Sequence, residues 1–318
     1  MLRCYSHDRY FADLPRGHVF PMRKFPTSAQ AIRDRGIARV IDPGFIEDRD
    51  LLRAHTPEYV ESIRTGDYND STRQRLGLPW HPTISIRSHS ATAGTLRAAR
   101  TALEDGLSAN LAGGTHHAFA DRGEGFCVFN DVAVAIRTLH AEEPLLHCMV
   151  IDLDAHQGNG TNHFFREDTR VFTYDVHVGR NYPSRKEPAD MDVPLSRFAG
   201  ADEYFTRLTA TLPTAVEVCE PDLVFYNAGV DVHIDDRFGQ MRLNIDDLRA
   251  RDRYAIGLCR DWGIPVCVVY GGGYNKVEGM TAELHVQTIA VAAERYAAER
   301  APLTDRRRDA RADPAIVP

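Results

Sequence analysis

Short apolar runs alternate with longer amphipathic segments along most of this chain, a pattern typical of strands that alternate with helices. The apolar runs predict buried strands at 108–112, 145–151, 171–176, 223–228 and 265–269. Apolar residues at helical spacing predict helices at 28–36, 48–64, 88–105, 131–140, 162–166, 201–219, 246–262 and 281–299. This order predicts a single α/β domain, built on a doubly wound and mostly parallel sheet with helices on both faces.

Two polar stretches between these elements, 66–82 and 179–194, are predicted to be loops. The first is expected to form the rim of a site, because long loops in compact domains often carry function. No linker interrupts the pattern, so residues 1–301 are expected to form one domain. The charged stretch 302–318 is expected to be a poorly ordered tail.

Composition narrows the classes of function. The 318 residues are 43% hydrophobic and 26% charged, with a formal net charge of -7. No basic stripe of Lys and Arg is present, which argues against nucleic-acid binding. Six scattered cysteines suggest reduced thiols. No apolar segment approaches the ~20 residues that cross a bilayer, so a cytoplasmic protein without a membrane span is expected, and its oligomeric state is left open.

The apolar run 145–151 ends in Asp152-Leu153-Asp154-Ala155-His156. Alternate side chains of a strand share a face, so the two aspartates and the histidine can point the same way. Carboxylates and an imidazole at a strand end suit a divalent metal. The alternative interpretation is a polar loop that caps the following helix, and this segment alone does not decide between the two.

Three other strand ends carry unusual chemistry: His116-His117, Asp231, and the run from Gly271 to Tyr274. The carboxyl ends of parallel strands lie along one edge of a sheet, so these residues can converge. Asp154, His156 and Asp231 would then offer two oxygens and one nitrogen and leave a position for water, as in a catalytic zinc site. Ferrous iron would fit the same ligands.

The tandem histidines and the tyrosine supply the remaining parts of a hydrolytic site. One of His116 and His117 is a candidate base for the attacking water and acid for the leaving nitrogen, and the other is a candidate electrostatic partner. Tyr274 follows three glycines and could donate a hydrogen bond to a tetrahedral oxyanion. Together these residues indicate hydrolysis of an amide.

Five ordered motifs resemble those of the histone deacetylase family, including its bacterial relatives that act on acetylated polyamines and other acyl amides. The motifs are Gly113-Gly114-Thr115-His116-His117-Ala118, Gly125-Phe126-Cys127-Val128-Phe129-Asn130-Asp131, Asp152 to Gly160, Tyr226-Asn227-Ala228-Gly229-Val230-Asp231 and Gly271-Gly272-Gly273-Tyr274. The resemblance implies the arginase-deacetylase fold, zinc on the three ligands named above, and inhibition by hydroxamates. The substrate would be an acyl-lysine peptide or protein, or another acylated amine.

The resemblance also implies roles for residues that the pattern alone does not assign. Asp152 would orient His116, and a basic residue such as Arg23 would approach an internal channel for the released acid. The acyl tunnel would be lined by Gly125, Phe126, Tyr182, Gly272 and Gly273. A structural potassium ion would bind near Asp152, Asp154, His156, Asp175 and Val176.

Two departures resemble the class IV branch of the family, namely Asn159 where most members have Asp, and Tyr182-Pro183 where class I enzymes have Phe-Pro. An amide supports an imidazolium less well than a carboxylate, so His117 should lose its proton more easily. Because that branch prefers long acyl groups, a fatty acyl-lysine hydrolase is an alternative to an acetyl-lysine hydrolase.

Other classes of protein remain as alternatives. An acetylpolyamine or small acyl-amide hydrolase would use the same zinc site. A ureohydrolase such as arginase needs a second metal, but Gly158 stands where its third ligand would be, and His233 follows Asp231 in place of a carboxylate. A deacetylase-like module that binds acyl-lysine without turnover is less favoured, because Tyr274 and both tandem histidines are present.

Overall fold

An eight-stranded sheet forms the centre of the protein in a computed structural model that describes residues 1–277 and 279–300. All of its strand pairs are parallel, which confirms the predicted class of fold. The strands are β1 (Arg3–Tyr5), β2 (Arg39–Ile41), β3 (Leu107–Asn110), β4 (Cys148–Asp152), β5 (Val171–Val178), β6 (Met191–Leu195), β7 (Leu223–Asn227) and β8 (Val266–Val269). Their order in the sheet is β2-β1-β3-β8-β7-β4-β5-β6.

Helices connect and cover the strands. They are α1 (Lys24–Asp34), α2 (Asp48–Leu51), α3 (Pro57–Thr65), α4 (Asp70–Leu76), α5 (Pro82–Asp105), α6 (Asp131–Glu142), α7 (Asn159–Phe165), α8 (Ala201–Cys219), α9 (Ile245–Asp261) and α10 (Met280–Arg300). Every residue of β3, β4, β7 and β8 is buried, as expected of parallel strands covered on both faces. Within the described ranges, none of the helices has the length and apolar character needed to cross a membrane.

Local sequence signals explain where several helices begin and end. The hydroxyl of Thr56 accepts a hydrogen bond from the backbone N–H of Tyr59, and Pro57 occupies the first turn, so α3 begins there. It ends at Gly66, whose φ of 80° is readily adopted by glycine. Asn244 and Asp247 form a reciprocal capping box at the start of α9.

Several predictions of local structure were wrong or incomplete. The single helix at 48–64 is two helices, because Pro57 disfavours helical backbone at Thr56, which is extended with ψ of 147°. The loop predicted at 66–82 contains α4, and the loop at 179–194 runs into β6. Strands β1 and β2 were not predicted, since three residues are too few to show a period. The predicted tail, 302–318, lies outside the described residues.

The order of the strands places the four polar strand ends side by side. β3, β8, β7 and β4 are consecutive neighbours in the sheet, although α6 and several other helices separate them in the chain. Asp152 pairs with Asn227 across β4 and β7, and Asn227 pairs with Val269 across β7 and β8. The segments that follow these strands therefore meet at one edge of the sheet, as predicted.

Candidate active site

The three residues predicted to bind metal lie together at this edge. Asp154 and His156 follow β4, and Asp231 follows β7. Nδ1 of His156 lies 2.8 Å from Oδ2 of Asp231 and 3.2 Å from Oδ1 of Asp154. All three side chains are buried, and one ligand atom from each lies within 4.8 Å of the others. Three protein ligands in this arrangement are typical of a catalytic metal site.

The chemistry of these donors fits a divalent cation. Nε2 of His156 lies 3.3 Å from the carbonyl oxygen of Phe238, which can only accept, so this nitrogen carries the proton. Nδ1 faces two carboxylates, and burial of His156 is outweighed by Asp231 and Asp154, which raise the pKa of His156 well above its ordinary value, so a bound cation would replace a proton at Nδ1. Burial and the neighbouring Asp154 raise the pKa of Asp231 to about 7. Burial of Asp154 is outweighed by His116 and His156, which hold the pKa of that carboxyl well below its ordinary value. Two carboxylate oxygens and one imidazole nitrogen suit zinc or ferrous iron.

Backbone amides hold both carboxylates in place. The N–H of Gly272 donates to Oδ2 of Asp154 over 2.6 Å, and the N–H of Ala155 donates to Oδ1 of Asp231 over 2.8 Å. A Cβ atom at Gly272 would lie 2.5 Å from Oδ2 of Asp231 and 2.7 Å from Oδ2 of Asp154. The glycine run after β8 is therefore needed because any side chain there would displace the ligands.

The tandem histidines contact different partners. Nδ1 of His116 lies 2.7 Å from Oδ2 of Asp152, whereas Nδ1 of His117 lies 2.7 Å from Oδ1 of Asn159. Burial lowers the pKa of His116, but Asp152 and Asp154 outweigh it and raise that pKa to about 9. Burial and the neighbouring imidazoles hold the pKa of His117 well below its ordinary value. One histidine is thus cationic and the other neutral near pH 7, which suits two different roles.

Two further residues position this pair, and the sequence analysis assigned them no such role. Asn227 donates from Nδ2 to Oδ1 of Asp152 over 2.9 Å. The carboxylate of Asp131 accepts the backbone N–H groups of Gly114 at 3.1 Å and Thr115 at 2.8 Å, which fixes the turn before the histidines. Asn227 could have been found from the sequence, because it is a polar residue at the end of an apolar strand. No local signal distinguished Asp131 from an ordinary first-turn acid.

A pocket of about 360 Å³ leads from the surface to the predicted catalytic residues; we call it the mouth. The ring centroids of Phe126 and Tyr274 are 5.8 Å apart, and those of His117 and Tyr182 are 4.9 Å apart. Burial and nearby carboxylates hold the pKa of Tyr274 well above its ordinary value, so its phenol stays protonated. The described residues that line the mouth are Gln74, Arg75, Leu76, Gly77, His117, Gly125, Phe126, His156, Asn181, Tyr182, Arg237, Phe238, Gln240 and Tyr274.

Two of the residues predicted to line the tunnel occupy other positions. Gly272 lines a smaller inner cavity next to the metal ligands. Gly273 is not among the described residues that line either the mouth or this inner cavity; a Cβ there would meet Val230 and Thr281. Residues 74–77, predicted as part of a rim loop, do line the mouth, although they belong to the end of α4 and its cap.

The inner cavity has a volume of about 30 Å³ and contains two buried cations, Lys24 and Arg87. The Lys24 ammonium donates to the carbonyl of Gly271 over 3.2 Å. Burial, together with the charge of Arg87, lowers the pKa of Lys24 to about 8. Arg23, the basic residue expected near an internal channel, is instead exposed, and its neighbour Lys24 points inward because it lies on the buried face of α1.

Two of the residues predicted to bind potassium, Asp154 and His156, are also predicted metal ligands, and Asp152 precedes them as the last residue of β4. Asp175 pairs with Asp152 in the register of β4 and β5, and Val176 follows it as a buried residue of β5. Oδ2 of Asp175 accepts the backbone N–H of Gly158 over 2.8 Å. Potassium binding at this position stays a prediction.

Comparison with known proteins gives concordant results. A family model described as "Histone deacetylase domain" matches residues 18–290. An uncharacterized protein of Picosynechococcus sp. is 38% identical over 273 residues, covering 85% of this chain and 91% of the relative. Histone deacetylase 2 of Arabidopsis thaliana is 29% identical over 283 residues, covering 85% of this chain and 73% of the relative. The crystal structure of the HDA15 HD domain matches the fold with a TM-score of 0.77 and 20% identity, covering 95% of this chain and 91% of that one.

Proposed function

The chain belongs to the histone deacetylase family and is a deacetylase, and on this basis we propose that it hydrolyses the amide of a short acyl group on lysine or a similar amine. The match to the family model confirms the resemblance that the five motifs indicated. The similarity in fold to the HDA15 HD domain agrees with the predicted arginase-deacetylase fold. The observation that carries the proposal is the contact of His156 Nδ1 with both Asp231 and Asp154, at 2.8 Å and 3.2 Å, beneath the mouth.

Asp154, His156 and Asp231 are the proposed ligands of zinc, with ferrous iron as the alternative. Such a cation, when bound, acts as a Lewis acid that lowers the pKa of water and polarises an acyl carbonyl. On the resemblance we also propose a structural potassium ion near Asp152, Asp154, His156, Asp175 and Val176.

His117 is the proposed general base. Nδ2 of Asn159 lies 3.4 Å from Oε1 of Glu124, which can only accept, so the amide turns its Oδ1 towards His117. Nδ1 of His117 must then carry the proton, and its Nε2 is free to accept one from water. The same nitrogen can return that proton to the leaving amine.

His116 and Tyr274 stabilise charge that develops in the reaction. His116, held cationic by Asp152 at 2.7 Å, supplies positive charge next to the reacting water. The phenol of Tyr274, kept protonated by its raised pKa, donates to the oxyanion of the tetrahedral intermediate. The contact with Asp152 already orients His116 before substrate binds.

The inner cavity supports a short acyl group. Its volume of about 30 Å³ leaves space for about two water-sized groups, and Lys24 and Arg87 complement a small carboxylate product. A long fatty acyl chain would have no room there in this conformation. We therefore propose acetyl, rather than fatty acyl, as the acyl half of the substrate.

A metal-loaded activity assay tests the proposal. Purified protein reconstituted with zinc or with iron is supplied with acetyl-lysine and myristoyl-lysine peptides and with acetylated polyamines, with and without a hydroxamate. We expect hydroxamate-sensitive release of acetate from at least one acetylated amine, and a much slower reaction with the myristoyl peptide. Binding of acyl-lysine without release of acid, under both metals, would favour the non-catalytic alternative.

A further inference from the structure

Two arginines, Arg75 and Arg237, lie at the mouth. The backbone of each forms a hydrogen bond with the backbone of a predicted tunnel or catalytic residue. The carbonyl of Arg75, in the last turn of α4, accepts the N–H of Gly125 over 3.0 Å. The N–H of Arg237 donates to the carbonyl of Tyr274 over 3.3 Å. Both residues line the mouth and are exposed. The backbone of each arginine is therefore fixed at the mouth, and its guanidinium can reach the space through which the amine half of a substrate must pass.

Carboxylates do not neutralise these arginines. Neither guanidinium forms an ion pair or hydrogen bond with another residue in the part of the chain that the structure describes, and no Asp or Glu is among the described residues that line the mouth. Of the carboxylates that contact mouth residues, Asp154 and Asp231 lie at His156 as the proposed metal ligands. The others, Glu124 and Asp236, accept other hydrogen bonds. Glu124 accepts the hydroxyl of Tyr182 at 2.9 Å, and buried Asp236 accepts the backbone N–H of Phe238 at 2.8 Å.

The positive surface continues from the mouth into a neighbouring groove of about 950 Å³, which shares Arg237 and Tyr274 with the mouth. Its described lining also includes the cations Arg16, Arg23, Lys24 and Lys276, against one acid, Asp13. The groove is therefore positively charged, although the whole chain has a formal net charge of -7. Positive charge at the entrance of a site attracts negatively charged ligands.

We infer that the amine half of the substrate carries carboxylates that reach the mouth when the acyl group lies at the metal ligands, and that Arg75 and Arg237 bind them. This inference rests on the proposed function and names the substrate class within it. The amine half of an acetylated polyamine is cationic and would be repelled by the same arginines, so the polyamine alternative is disfavoured. The ligand chemistry is that of an acetyl-lysine flanked by Asp or Glu in a peptide, or of free acetyl-lysine with its own carboxylate.

Matched substrates test the inference. Three acetyl-lysine peptides differ only in flanking residues, which are Asp, Asn or Lys, and free acetyl-lysine is compared with its carboxamide. For two exposed charge pairs we expect kcat/KM to be about tenfold higher with Asp than with Lys flanks, and the difference to shrink as salt is added. A preference for the peptide over free acetyl-lysine would indicate that the groove binds a peptide chain. Equal rates for all flanks, or faster hydrolysis of an acetylated polyamine, would overturn the inference.

Substitutions test whether the two arginines cause the preference for Asp-flanked peptides. The double variant Arg75→Gln with Arg237→Gln is expected to bring the ratio of Asp-flanked to Asn-flanked kcat/KM close to one. Arg73→Gln is the matched control, because Arg73 lies on the same helix but pairs with Asp70 at 3.1 Å and does not line the mouth. The control should keep the ratio of the unaltered protein. Retention of the ratio by the double variant would contradict the assignment.

A binding measurement separates this inference from the proposed function. Fluorescent forms of the same three peptides are titrated with the Tyr274→Phe protein, and their dissociation constants are read by anisotropy. Tighter binding of the Asp-flanked peptide supports the inference even if no peptide is hydrolysed by the unaltered protein, a result that would count against the proposed function alone. Equal dissociation constants for the three peptides would overturn the inference whatever the turnover.

Discussion

Oδ1 of Asn159 lies 2.7 Å from Nδ1 of His117, the same distance that separates the carboxylate of Asp152 from Nδ1 of His116. The two adjacent histidines thus contact their partners at the same distance, but one partner is charged and the other is neutral. A carboxylate stabilises an imidazolium, whereas an amide oxygen only orients the ring. This difference, added to burial, separates the protonation states of the two rings and leaves the neutral one available as a base.

Asn159→Asp should therefore move the acidic limb of the pH–rate profile. A carboxylate at this position raises the pKa of His117, so the base becomes protonated, and activity falls, at a higher pH than in the unaltered protein. We expect the midpoint of that limb to rise by about one to two pH units. The profile of kcat/KM is the measurement, because it reports ionisations of the free enzyme. Asn244→Asp, at the exposed N-cap of α9, should leave it unchanged.

Tyr274→Phe should lower kcat by about 10²- to 10³-fold, because the variant keeps the ring but loses the donor to the oxyanion. KM should change little, since that hydrogen bond is made mainly in the transition state. Steady-state kinetics on an acetyl-lysine peptide provide the measurement. Tyr254→Phe, a half-buried tyrosine of α9, serves as the control for loss of a phenol elsewhere. Full activity of the Tyr274 variant would rule out its assigned role.

Metal binding should stabilise the fold through the three buried ligands. At a free metal concentration about 100 times the dissociation constant, we expect the free energy of unfolding to rise by about 2.7 kcal/mol. Asp231→Asn should remove most of this gain and lower the bound metal measured by elemental analysis. Asp202→Asn, an exposed acid in the first turn of α8, should change neither quantity. Equal metal content in both variants would show that the site lies elsewhere.

Gly272→Ala should disrupt the same site by crowding. Its Cβ would lie 2.5 Å from Oδ2 of Asp231, so the carboxylate or the backbone must move, at a cost of about 1–3 kcal/mol in stability. We expect weaker metal binding and loss of activity. Gly257→Ala is the matched control, because nothing lies within 4 Å of a Cβ at that position in α9. That variant should instead gain about 0.5–1 kcal/mol from its higher helix propensity.

His55 should make the stability of the fold depend on pH, independently of the active site. Its Nε2 accepts the backbone N–H of Asn130 over 3.0 Å, and burial lowers the pKa of His55 to about 4. The unfolded chain protonates this group near its ordinary pKa of about 6.5. Between these values the unfolded state binds more protons, so the free energy of unfolding should fall, by up to about 3 kcal/mol, as pH drops from 6.5 towards 4.

Chemical denaturation across this range measures the effect. Other buried histidines contribute to the total slope, so the test is the difference between the unaltered protein and His55→Gln, which keeps a donor and an acceptor. The variant should lose part of the slope of stability against pH between pH 4 and 6.5. An unchanged slope would show that His55 does not titrate differently on unfolding.

The sequence by itself determined the class of fold and the chemistry of the strand ends. Buried parallel strands are short apolar runs, and a polar residue that ends such a run, as Asp152 ends β4, stands out within a few positions. The ligand types were readable for the same reason, because carboxylate and imidazole at a strand end are a local signal. Short elements such as α2, α4 and β1 were merged or missed, and the long helix α5, predicted to begin at residue 88, begins at Pro82.

Only the tertiary structure decided which strand ends are neighbours and which charges surround them. Strands β4 and β8 both pair with β7, an outcome of long-range packing that no local pattern contains. Buried Lys24 and exposed Arg237 look alike in sequence as single cations, yet one lies in the inner cavity and the other at the mouth. Local periodicity reports which face of an element is buried, whereas the contacts of a single charge depend on segments far away in the chain.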